Sequence, residues 1–281
     1  YLEVIGRGLP LSQPSVPFVA VPTTAGSGTE VTKNAVLASP EHGVKASLRS
    51  PHMLPRLAIV DPELTATMPP AVTASTGLDA LTQLIEPYVS TRANPMADIF
   101  CLEGITRIAG SLRRAYADGA DMAARTDMSF ATLLGGMALA NAGLGAVHGF
   151  ASAIGGAFRA PHGAVCAALL PHVTRINIRA LRERAPDAAA LDRYAKIAGI
   201  LTHSPEASPE DAVTAISQIC EALCITPLST WGITAGDVAS ICANAARARM
   251  ICSTLRPPMI ARSEPARVSW VNVSTSSCCC R

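Results

Sequence analysis

Between Gly145 and Gly163 the chain reads GAVHGFASAIGGAFRAPHG, which places two of its six histidines, His148 and His162, among small apolar residues. Two imidazoles that share a transition-metal ion must each bring a nitrogen to roughly 2.0–2.1 Å from it. On one straight helix, positions 148 and 162 would lie roughly 21 Å apart at about 1.5 Å per residue. A shared site therefore requires the chain to turn between them. Gly155-Gly156 loosens the backbone, and Pro161 blocks one helix and can open the next. Upstream, Asp79 and Gln83 are four residues apart and share a helix face. An acid inside an otherwise apolar helix is costly to bury unless it is paired or metal-bound. Asp79, His148 and His162 together would offer a carboxylate and two imidazoles, a set suited to iron or zinc. The competing reading is two satisfied buried histidines and an ordinary polar pair on a helix.

The elements that must position these residues change character along the chain. Residues 1–69 alternate short strands and loops. Pro17–Pro22 is an apolar run of strand length, followed at once by Thr23-Thr-Ala-Gly-Ser-Gly-Thr-Glu30, and a second run, Leu57–Val60, ends at Asp61-Pro62. Polar glycine-bearing loops after buried strands are where α/β sheets bind ligands, although this loop also reads as a plain turn. From Pro70 the pattern is helical. Helices are predicted over 71–85, stopping near Pro87, and over 94–116 and 121–141. Others are predicted over 162–181, with a kink or break at Pro171, and over 188–201, 209–224 and 235–249. From about Ile251 the periodicity dissolves into Pro257-Pro258 and a Ser/Thr-rich run ending in CCCR, predicting an irregular tail over 251–281.

Composition narrows the function classes. The 281 residues are 49% hydrophobic with a net charge of +2 and only 4% aromatics, so a nucleic-acid partner is not expected. No run of about 18 uninterrupted apolar residues predicts a membrane span. Of the nine cysteines, those from Cys101 to Cys252 sit in apolar helical patterns and read as small hydrophobes, and no CxxC spacing exists. Without a signal peptide, a cytoplasmic location is expected. The opening Tyr1 suggests a fragment.

Four motifs, TTAGSGTEVTKNAV, VDPELT, TGLDALTQLIEPYVS and GAVHGFASAIGGAFRAPHG, occur in the order found in the iron-containing (group III) alcohol dehydrogenase family, which the chain resembles over roughly residues 1–225. The resemblance implies a mainly α chain. An all-helical metal and substrate domain (70–250) would follow the remnant of an α/β nucleotide-binding domain (1–69). It implies hydride transfer between NAD or NADP and a small alcohol or aldehyde, with Fe²⁺ or Zn²⁺ as Lewis acid, and pairing into a homodimer. It puts Asp79, His148 and His162 at three of four metal positions, with Gln83 at the fourth, where the family carries histidine. A glutamine amide is a neutral, harder donor, so weaker retention of the metal is expected. Ser152 stands where the family often has a histidine near the reacting alcohol, so His148 and Ser152 are the catalytic expectation, with an altered proton relay. Thr23, Thr24, Ser27 and Thr32 fall along the nicotinamide and phosphate side and Lys45 near the ribose. The family's Gly-Gly-Gly-Ser loop is absent. A metal-independent reductase of the same fold, like maleylacetate reductase, and a catalytically inert fragment are the rival readings.

Overall fold

The computed structural model of the chain describes residues 1–247. Strands are confined to its first quarter. β1 (Val19–Ala20) pairs parallel with β4 (Leu57–Ala58), while β2 (Asn34–Ser39) and β3 (Val44–Arg49) form an antiparallel hairpin with Asn34 opposite Arg49 and Ser39 opposite Val44. The helices follow: α1 (Pro70–Tyr88), α2 (Pro95–Ala117), α3 (Met122–Ala142), α4 (Ala146–Ala157), α5 (His162–Arg184), α6 (Ala189–Thr202), α7 (Pro209–Ala222) and α8 (Val238–Arg247). The chain is thus mainly α with a small α/β portion at its start, as expected.

α1 is the central element. From Gly77 to Tyr88 every residue is buried, because α2, α3, α4 and α5 pack around it. A helix covered on all sides must be apolar nearly throughout, which makes its buried Asp79, Gln83 and Glu86 conspicuous. The surrounding helices start where their caps dictate. Asn94 Oδ1 accepts from the Ala97 amide at 3.0 Å ahead of Pro95, and Asp121 Oδ1 accepts from the Ala124 amide at 3.0 Å. Arg193 then clamps α6 to its neighbours, donating to both Asp98 oxygens at 2.6 and 2.8 Å and to the Tyr88 carbonyl at 2.8 Å.

α1 ends at Tyr88, near Pro87 as expected. Two expectations are corrected. α5 continues unbroken through Pro171. Proline supplies no N–H, so the Ala167 carbonyl one turn earlier lacks its helical donor. The Cys220 thiol of α7 donates to that carbonyl at 3.5 Å, and burial, which pushes this thiol up to about 12, keeps it protonated for the task. Finally, Gly155 and Gly156 do not loosen the backbone, because both lie inside α4. They make room for the hairpin: a Cβ on Gly156 would stand 2.6 Å from Val44 Cα and 2.8 Å from the Gly43 carbonyl. The turn between the two histidines falls instead at residues 158–161. The expected irregular tail, 251–281, lies outside the described residues. Among those residues no single helix is long and apolar enough to cross a membrane.

Candidate metal centre

Asp79, Gln83 and Glu86 stand at i, i+4 and i+7 on α1 and so share one face. Glu86 reaches the start of α4, where its carboxylate accepts from the Gly145 amide at 2.8 Å and the Val147 amide at 2.6 Å. A negative charge there also suits the positive end of the helix dipole. The same carboxylate lies 2.7 Å from His148 Nδ1. A carboxylate can only accept, so the Nδ1 proton points at Glu86 and Nε2 is the ring atom turned inward.

That nitrogen faces Asp79. His148 Nε2 and Asp79 Oδ1 are 3.3 Å apart without hydrogen-bond geometry, and both are buried without a hydrogen-bond partner. His162, the first residue of α5, brings its Nε2 to 3.8 Å from the same Asp79 oxygen, and its ring centroid lies 5.5 Å from that of His148. Cys166, one turn further along α5, places Sγ 3.7 Å from His162 Nε2. The ligand atoms of Asp79, His148, His162 and Cys166 all lie within 4.8 Å of one another. Gln83 donates from Nε2 to the Gly26 carbonyl at 3.2 Å, which leaves its buried Oε1 without a partner.

The electrostatics describe a place built for positive charge. Burial opposes a charged His148, but the carboxylates of Asp79 and Glu86 outweigh it and carry its pKa up to about 10. Burial would raise Asp79, yet contact with His148 and His162 holds its carboxyl below the usual range. Burial, aided by the charges on His148 and Lys45, outweighs the pull of Asp79 and holds His162 below the ordinary histidine value. Cys166 is pushed well above the usual thiol value by burial and by the two carboxylates. Leaving a buried polar atom unpaired costs about 1–3 kcal/mol, more for a charged one. Three such atoms are Asp79 Oδ1 and Gln83 Oε1, on one face of α1, and His148 Nε2, which meets Asp79 from α4. A divalent cation with carboxylate, amide and imidazole donors fits them.

Two participants escape a reading of the sequence alone. Glu86 precedes a proline and looks like a helix end, although its seven-residue spacing from Asp79 marks the same face. Cys166 is not merely a small hydrophobe: the four-residue spacing from His162 sets its sulfur beside that ring. Glu86→Gln is expected to weaken zinc affinity about 10–100-fold, the usual effect of losing a group that orients a ligand, with the helical far-ultraviolet signal unchanged. Competition against a chromophoric chelator checks this, and an unchanged affinity would remove Glu86 from the site.

The residues expected to touch a nucleotide are less concentrated. Thr23 and Thr24 are exposed on the loop after β1, and Ser27 Oγ sits 3.5 Å from Thr29 Oγ1. Thr32 donates to the Thr29 carbonyl at 3.1 Å and lines a cavity of about 320 Å³ together with Phe18, Ala20, Thr29, Glu30 and Asn34. Glu30 is itself buried with an unpartnered Oε1, and burial raises its carboxyl above the usual value. Lys45 lies apart, on β3 beside α4, its Nζ 3.0 Å from where Gly155 would carry a Cβ. Of the five, only Thr32 lines that cavity, while the Lys45 charge bears on His162 and Cys166. Ser152 is half-buried on α4, one turn beyond His148.

Comparison with known proteins gives the family and the fold. The profile of the Fe-containing alcohol dehydrogenase family, C-terminal, matches residues 73–262, and that of iron-containing alcohol dehydrogenase matches residues 1–62. The match thus extends past residue 225, where the motif resemblance stops. A 1,3-propanediol dehydrogenase of Klebsiella pneumoniae is 44% identical over 209 residues, covering 74% of this chain and 53% of the relative. The crystal structure of a 1,3-propanediol oxidoreductase superposes with a TM-score of 0.79 at 38% identity, over 87% of this chain and 63% of that one. A sulfoacetaldehyde reductase from Bifidobacterium kashiwanohense, solved in complex with NAD⁺, gives a TM-score of 0.74 at 28% identity, covering 88% and 63%. The chain spans about half the length of the curated relatives it matches. With two family profiles together covering most of its length, the chain belongs to the iron-containing alcohol dehydrogenase family.

Proposed function

We propose that this chain carries the metal site and part of the nucleotide-binding surface of an NAD(P)-dependent alcohol dehydrogenase or aldehyde reductase. Residues 1–69 would supply the cofactor side and residues 70–250 the metal side. The observation that carries the reading is the group of three buried, unpartnered donor atoms on Asp79, Gln83 and His148. Membership of the family and the names of its relatives support the reaction class.

Asp79, His148 and His162 would hold a divalent cation, with the Gln83 amide oxygen beside them. When bound, such a cation supplies Lewis acidity at the oxygen of a small alcohol or aldehyde, and a nicotinamide exchanges the hydride. The protein's work is positioning. Glu86 locks the His148 ring, and the shell of α1, α4 and α5 keeps water from the buried donors. Ser152, one turn past His148, offers an Oγ that can pass the alcohol proton outward. Thr23, Thr24, Ser27, Thr32 and Lys45 would orient the nicotinamide and phosphates.

The neutral Gln83 favours one rival, a reductase of the same fold that works without metal. Elemental analysis of the purified chain, paired with an NADH fluorescence titration, separates the readings. About one equivalent of iron or zinc with saturable NADH binding is expected. Saturable binding without metal would establish the metal-independent reductase instead, and absence of both would leave a helical scaffold without this chemistry.

A further inference from the structure

We infer that Cys166, as a thiolate, is the fourth protein ligand of this metal centre, in place of the residue at position 83. The inference rests on the metal-centre reading above and deepens it. Four observations lead to it. Cys166 is wholly buried, and its sulfur joins Asp79, His148 and His162 in the one compact donor set among the described residues, all four ligand atoms within 4.8 Å. Tetrahedral bonds of about 2.0–2.1 Å to nitrogen and about 2.3 Å to sulfur give ligand-to-ligand edges of roughly 3.3–3.6 Å. Three of the six edges are 3.3 Å from His148 Nε2 to Asp79 Oδ1, 3.7 Å from Cys166 Sγ to His162 Nε2, and 3.8 Å from His162 Nε2 to Asp79 Oδ1, and the other three lie within 4.8 Å. His162, whose side chain is 41% exposed, has room to settle inward.

Asp79 Oδ1 and His148 Nε2, buried 3.3 Å apart without a hydrogen-bond partner, supply the independent sign of a site able to take a cation. Gln83 has only a neutral amide oxygen to offer, its N–H group being held by the Gly26 carbonyl at 3.2 Å. As the metal–sulfur bond forms, the S–H proton leaves to solvent and no electron is transferred. A thiolate among imidazole and carboxylate biases the site toward zinc over iron.

Cobalt(II), a spectroscopic stand-in for zinc, tests this on the full chain. The parent should take up one equivalent with weak visible bands and an intense near-ultraviolet thiolate-to-cobalt band. Cys166→Ala, a small apolar replacement suited to a buried position, should lose the near-ultraviolet band and bind cobalt at least about tenfold more weakly. A chain with C278S, C279S and C280S should keep the band, since those thiols are not the ligands. Stoichiometric cobalt with visible bands but no near-ultraviolet band, or with a band that Cys166→Ala leaves intact, overturns the ligand assignment while the metal centre stands. Failure to take up an equivalent of cobalt overturns both.

Discussion

His148→Ala is expected to eliminate stoichiometric zinc or iron and to lower the melting temperature by on the order of 10 °C. The imidazole is held between two carboxylates whose side chains are each only 6% exposed, Glu86 at 2.7 Å from Nδ1 and Asp79 at 3.3 Å from Nε2. Removing it deletes a metal donor and also strands both acids in a low-dielectric interior. Breaking a buried charge pair costs about 3–5 kcal/mol, and in a domain of this size each kcal/mol shifts the midpoint by roughly 2–4 °C. Metal-dependent turnover should vanish with the metal. Elemental analysis and a thermal melt, each run beside the parent, provide the check. A variant that keeps one tightly bound equivalent of metal would show that His148 is merely a packed core histidine.

The second large effect is expected at Gly136→Ala. α3 meets the loop after β1 backbone to backbone, with Gly28 and Gly136 in contact. A methyl on Gly136 would overlap the Gly28 carbonyl oxygen and lie 2.7 Å from Val31 Cγ2. The loop has little freedom to retreat, because Gly28 sits at φ 58 and a Cβ there would stand 2.5 Å from the Thr132 carbonyl. Overpacking of this kind costs about 1–3 kcal/mol. The shift would also carry Gly26 away from the Gln83 amide and move Ser27. The urea midpoint should fall and NADH affinity should weaken together. Parent values for both would mean that the loop accommodates the methyl group and does not position the nucleotide.

The meeting of Asp79, His148 and His162 was legible through the resemblance of the surrounding motifs to a family, since the residue types alone fit two satisfied histidines and a polar helix pair equally, and the helix starts were legible because Asn94-Pro95 and Asp121 state them locally. What was not legible depends on distant partners. Pro171 predicts a break, while the carbonyl it leaves without a helical donor is met by the Cys220 thiol 53 residues further on, a partner that local sequence does not show. Gly155-Gly156 signals flexibility in isolation, while its actual use is set by a hairpin more than a hundred residues earlier. Cys166 resembles any core cysteine until α5 is seen to begin beside Asp79. Glu86 could have been found, since its spacing from Asp79 follows the helical repeat, but the proline after it draws attention away.

One consequence of Glu86 concerns how the centre can fail. The carboxylate that initiates α4 through the Gly145 and Val147 amides also aims the imidazole that α4 carries. Fraying of that helix and misdirection of its donor are therefore a single event. Damage here acts on the first turn of α4 and on the aim of the metal donor at once, while the remaining helices stay folded.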